Sequence, residues 1–299
     1  MKSMVGTATT RALLALLLLA GPAQALEFFG YAAVSCGHDD PFDDDLKTDY
    51  SDEVAGFTNA NHVCLPGNPA LWAETLAMAA AQYDPVVLVD GLFDFGPNGA
   101  GPDGAAAQAL WGLFRQALKK SGVPPERLFF YLADEPSLFG VPIGQVNRAG
   151  EIVHETYPGS RTLLIEAYDP DGAPAVPASV DYWGFDVYGV PDPAREPRYG
   201  AFLDQARATM HSGQKIVLVL DGNFTPYHAE NGLSQGQMAD VARAYYAFAV
   251  AQPDVAGMLG YVWAGGIDNL QELGVRDLPP EVRAAHQEIG RAILAGATR

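Results

Sequence analysis

The stretch "FFYLADEPSLFG", Phe129–Gly140, is an apolar run that stops abruptly on two adjacent carboxylates, Asp134 and Glu135, and then on Pro136. An uninterrupted apolar run of this length reads as a strand covered on both faces, as in a parallel sheet. Taken as a strand over 127–135, it has seven counterparts: 27–34 (EFFGYAAV), 53–60 (EVAGFTNA), 85–93 (PVVLVDGLF), 161–168 (RTLLIEAY), 180–188 (VDYWGFDVY), 215–222 (KIVLVLDG) and 255–263 (VAGMLGYVW). Segments with apolar residues three and four apart, at 69–83, 104–122, 143–157, 198–213, 234–252 and 279–296, predict helices between most of them. Between the fifth and sixth strands "DPDGAPAVPAS" offers only loop. Eight strands with crossovers predict a single-domain (β/α)8 TIM barrel over residues 26–299. An open doubly wound sheet is the rival, but no glycine-rich phosphate loop follows the first strand.

The chain opens with Lys2 and Arg11, the apolar run Leu13–Ala20 and the sequence Ala23-Gln24-Ala25. This is the pattern of a signal peptide spanning residues 1–25, cleaved after Ala25, and it predicts a secreted or periplasmic protein. The apolar run is too short to span a bilayer. The formal charge is −18, and the segment 1–25 contributes only cations to it. A chain this acidic, with no basic patch, excludes nucleic acid and anionic membrane surfaces as partners. The expected state is a monomer. The acidic segment 38–53 does not follow EF-hand spacing and reads as a solvated loop.

Cys36 and Cys64 are the only cysteines. In an exported chain a single pair is most simply a disulfide. They follow the first and second strands, and points just beyond the same ends of adjacent parallel strands lie within disulfide reach.

In a TIM barrel, chemistry is carried at the C-terminal ends of the strands. The residues there are Asn59 and His62 on strand two, Asp90 on strand three, Asp134 and Glu135 on strand four and Glu166 on strand five. Asp186 and Tyr188 end strand six, Asp221 and Asn223 strand seven, and Trp263 strand eight. Carboxylates with aromatic platforms suit sugar chemistry: one carboxyl protonates the glycosidic oxygen while another attacks the anomeric carbon or activates water. Beside Asp134, Glu135 is a carboxyl whose ionisation its neighbour opposes, which favours an acid role. Pro136 biases it toward an extended backbone. No HxH or HExxH spacing points to a metal, no G-x-S-x-G elbow points to a serine nucleophile, and no cofactor is expected.

These motifs resemble the superfamily of TIM-barrel glycoside hydrolases, whose acid/base glutamate ends strand four, commonly as Asn-Glu-Pro. Here the triplet is Asp134-Glu135-Pro136. The "GFDVYG" run places Tyr188 where the superfamily has a tyrosine near its nucleophile, and "GYVWAGG" places Trp263 where a tryptophan floors the sugar subsite. The resemblance implies Glu135 as general acid, with Asp134, Tyr188 and Trp263 positioning a carbohydrate. Asn59, His62, Asp90, Glu166 and Asn223 are further candidate sugar ligands. Strand seven departs from the pattern: the superfamily's nucleophilic glutamate is replaced by Asp221, one methylene shorter. Asp221 is then the second carboxylate, with Asp186 in reserve. The rival reading is a barrel without catalysis that binds glycans or acts as a scaffold.

Overall fold

The computed structural model describes residues 25–297; the expected leader lies outside them, apart from Ala25. The quoted stretch forms β4 (Phe129–Asp134), buried along its first five residues and open to solvent only at Asp134. The other strands are β1 (Phe28–Tyr31), β2 (Ala60–Val63), β3 (Asp84–Leu88), β5 (Arg161–Ala167), β6 (Tyr182–Asp186), β7 (Lys215–Asp221) and β8 (Val255–Tyr261). All pair in parallel, in the order β1-β8-β7-β6-β5-β4-β3-β2. The sheet curls into the nearly closed cylinder of a (β/α)8 TIM barrel.

The larger helices are α2 (Trp72–Ala80), α3 (Ala105–Ser121), α4 (Ile143–Thr156), α5 (Pro197–Thr209), α7 (Met238–Val250) and α8 (Pro280–Ala297), with short turns α1 (Ser51–Val54) and α6 (Pro226–Glu230). Their limits follow local chemistry. α5 and α8 begin on proline, whose missing N–H costs nothing in a first turn. α3 carries Lys119 and Lys120 in its last turn and stops at Gly122, in the left-handed region at φ 73°. As the loop composition predicts, no helix joins β5 to β6. Among the described residues no helix is long and apolar enough to cross a membrane.

One strand departs from its expected position. Residues 53–60 do not form a strand: α1 and a turn occupy the segment, and β2 begins at Ala60. Val54 and Phe57, three apart, are both buried, as one turn of helix allows. The true strand, Ala-Asn-His-Val, is half polar because its side chains bond the neighbouring strand. Phe29 N–H donates to Asn59 Oδ1 (2.9 Å), and Tyr31 N–H to Asn61 Oδ1 (3.0 Å). Two asparagine amides, with the backbone bond from Asn59 N–H to the Phe29 carbonyl (3.0 Å), thus stand in for a regular ladder where the barrel closes. The strands approach so closely there that a Cβ on Gly30 would lie 1.2 Å from the Ala60 carbonyl oxygen. Just above, Cys36 and Cys64 are joined in a disulfide with Cα atoms 4.6 Å apart.

The barrel interior is filled from the bottom by Phe28, Phe129 and Tyr182, with the Arg161 guanidinium 3.8 Å from the Phe129 ring centroid. Higher up, Val86, Ile165, Val219 and Leu259 form an apolar layer that becomes the floor of the mouth.

Candidate active site

Neighbouring residues on an extended strand point to opposite faces, so Asp134 and Glu135 ought not to share a site. Two backbone features bring them together. Against β5, the β4 register slips between Tyr131 and Ala133: Tyr131 pairs with Leu163 but Ala133 with Leu164. This bulge turns Leu132 and Ala133 toward the helices and Asp134 inward, on the same side as Tyr131. Glu135 then adopts φ 45°, in the left-handed region, and its carboxyl also reaches the cavity. The extended conformation expected before Pro136 is therefore corrected: proline disfavours the right-handed helical region, and the chain leaves the strand through the left-handed one.

The cavity holds about 300 Å³. Asp134, Glu135, Asp186 and Asp268 line it together with Tyr131, Tyr188, Tyr261, His38, His62 and the disulfide, above the apolar floor. Tyr188 donates its hydroxyl to Asp186 Oδ2 (3.0 Å) and lies against Tyr261, ring centroids 5.5 Å apart. Tyr131 donates to Asp134 in a short hydrogen bond. Burial pushes the Asp186 carboxyl up to about 8; the adjacent Glu135 carboxyl, close enough to share a proton with it, adds to the rise, and the Tyr188 bond opposes it. Burial likewise pushes Asp134 up to about 6, against the Tyr131 bond and with the charges of Glu135, Asp90 and Asp268. His62 is pushed down to about 4 by burial, and its Nδ1 accepts from the Ala33 N–H (3.2 Å).

Of the residues singled out in the sequence, the fold gathers Asp134, Glu135, Asp186, Tyr188 and His62 around this cavity. Asp90 lies near enough to Asp134 for its charge to raise that carboxyl's pKa, without lining the space. The others lie elsewhere. Asp221 is 1% exposed; its carboxylate accepts from the Gly189 N–H (2.8 Å) and His228 Nε2 (3.1 Å), fixing the loops after β6 and β7. It does not line the cavity, whereas Asp186 does. Trp263 is 3% exposed and packs on Tyr31 and Phe57, with its Nε1 donating to Glu53 (2.7 Å); it is a core residue and does not line the cavity. Asn59 belongs to the opposite end of the barrel because β2 starts one residue later. Glu166 faces the helices and accepts from the Ser137 N–H (3.2 Å), bracing the turn after Glu135. Asn223 is buried and donates to Glu272 (2.7 Å).

Sequence reasoning misses Tyr131, Tyr261 and Asp268. Tyr131 carried a signal, since it lies two residues beyond the inward Phe129 on the same strand face. Asp268 lies seven residues past β8 and carries none.

Neither a protein-family model nor a curated protein sequence matches this chain. Its fold is similar to those of solved TIM-barrel glycosidases. A β-glucuronidase from an uncultured Clostridium sp. superposes with a TM-score of 0.55 at 11% identity, over 88% of this chain and 50% of the other. A GH113 β-1,4-mannanase gives 0.54 at 11% identity, over 88% and 99%, and xylanase 10B from Thermotoga maritima gives 0.51 at 12%, over 92% and 97%. The chain thus spans about half the length of the glucuronidase. At these identities the likeness concerns the fold.

Proposed function

We propose that the protein is an exported glycosidase that hydrolyses an O-glycosidic bond of an oligo- or polysaccharide, with Asp186, in place of the Glu135 that the resemblance implies, as general acid and Glu135 as its carboxylate partner. The observation that carries the reading is the approach of the Glu135 and Asp186 carboxyls in a partly open cavity with an apolar floor. Asp186 keeps its proton at neutral pH and can give it to the glycosidic oxygen as the C–O bond breaks. Glu135 then stabilises the cationic sugar, by bonding the anomeric carbon or by taking a proton from the attacking water. The apolar floor suits the C–H face of a sugar ring. Export is supported by the leader pattern of residues 1–25 and by the disulfide.

One feature favours a second reading, a barrel that binds glycans without cleaving them. Carboxyls in contact are closer than the about 5–5.5 Å of retaining pairs, so a sugar must separate them to be cleaved. Assay of the purified protein and of Glu135→Gln against an oligosaccharide panel distinguishes the two. Cleavage by the wild type with kcat/KM reduced about 10²–10⁴-fold in the variant is expected. Cleavage unaffected by the substitution removes Glu135 from the mechanism, and saccharide binding without any turnover favours the second reading.

A further inference from the structure

The cavity is rich in acceptors and poor in donors. Four carboxyl groups line it, of which only Asp186 holds a proton at neutral pH, and among the described residues no lysine or arginine does. Arg276, a strong cation in the loop after β8, is bonded to Asp40, Asp43 and Glu53. Most of the donors present are already spent. Tyr131 and Tyr188 give their hydroxyl protons to Asp134 and Asp186. His38 Nε2 is bonded to the Gly265 carbonyl (2.7 Å). Because His62 Nδ1 accepts from Ala33, its proton is on Nε2, which faces Cys64 Sγ at 3.7 Å. The N–H groups of Ile267 and Asp268 turn away to Glu272 Oε2 (2.9 and 3.1 Å). The hydroxyl of Tyr261, withdrawn from solvent in the cavity wall beside Asp268, makes no hydrogen bond of good geometry.

A ligand that completes this site must bring donors and positive charge, and it must not bring a carboxylate. We infer that the site selects a sugar carrying a protonated amine, with Asp134 and Asp268 receiving the ammonium group, and that it rejects uronic acids. The inference rests on the glycosidase reading for its sugar and on the acceptor excess for its charge. An ammonium group offers three donors and no acceptor, whereas a neutral hydroxyl adds an acceptor for each donor. A bound cation also favours the ionised carboxyls, so binding releases protons from Asp134 and Asp186.

The test is calorimetry with matched oligomers of glucosamine, N-acetylglucosamine, glucose and glucuronic acid at pH 6.5, where the free amine is largely charged. The glucosamine oligomer is expected to bind about ten- to hundredfold more tightly than its N-acetylated and neutral counterparts. Buffers of unlike ionisation heat should reveal proton release for that ligand alone. A double variant, Asp134→Asn with Asp268→Asn, checked for folding by circular dichroism, should bring the selectivity close to unity. Equal or weaker binding of the amine form, or selectivity retained by a folded double variant, overturns the inference. Hydrolysis of the same oligomers is scored separately. Amine-selective binding without turnover upholds the inference and sinks the glycosidase reading, while turnover without selectivity does the reverse.

Discussion

Glu135 occupies the left-handed region directly before a proline, where a side chain with a Cβ costs about 1–2 kcal/mol. The strain is the means by which two consecutive carboxyls enter one cavity. Glu135→Gly is therefore expected to stabilise the protein by about 0.5–1 kcal/mol in urea unfolding while abolishing any activity, because glycine's greater freedom in the unfolded chain offsets some of the relief. Asp186 leads to a prediction about pH. Its pKa is raised in the fold to about 8, so the folded state holds a proton that the unfolded chain releases near pH 4. Stability therefore falls as pH rises between those values, and Asp134 contributes with the same sign. Urea unfolding at pH 5 and pH 8 should show a smaller loss for Asp186→Asn than for the wild type. An unchanged slope would mean that Asp186 is not the proton holder. Several of these residue roles were beyond the sequence for a physical reason. Asp221 and Trp263 do end their strands as expected, but a strand end does not say whether a side chain faces the mouth or is sealed by His228 and Gly189, or by Phe57 and Tyr31.

At the level of elements, seven strands and the principal helices could be read from apolar runs and spacing, because a parallel sheet buried on both faces imposes that pattern. β2 could not. Its polarity comes from Asn61 and His62, which bond the first strand and the loop after it, so the apolar reading slid to the preceding segment, where Val54 ends α1 and Phe57 lies in the turn that follows. The bulge in β4 was equally hidden, since one extra residue leaves no mark on hydrophobicity. The β2 bonds can be checked. Asn61 is fully buried, accepts from Tyr31 N–H and donates to Thr58 Oγ1 (2.8 Å). Asn61→Ala leaves the buried Tyr31 N–H unpaired, while Thr58 Oγ1 keeps its bond to the Val54 carbonyl (3.0 Å), and is expected to cost roughly 1–3 kcal/mol in urea unfolding. A near-neutral result would show that water or backbone adjustment replaces the amide.

Across the whole molecule, the two ends of the barrel differ in charge. Arg127, Arg161 and Lys215 sit at the bottom, paired with Asp84 and Glu27, while carboxylates crowd the mouth. The cylinder also differs around its circumference. Seven strand pairs are joined by ladders, and the eighth contact, between β1 and β2, is held by asparagine amides, a few scattered backbone bonds such as Asn59 N–H to the Phe29 carbonyl (3.0 Å), and the Cys36–Cys64 bond. Mechanically the barrel is a sheet with a hem, and the disulfide is the rivet in that hem. Load applied across β1 and β2 meets a few bonds that break singly and in turn, whereas every other line of the cylinder resists along a full ladder. Single-molecule pulling from anchors on these two strands should therefore find a stiff, high-force barrel in the oxidised protein. After reductant it should find an early, low-force opening that precedes loss of the other strands. Indistinguishable traces in the two states would place the strength of the closure in its hydrogen bonds alone.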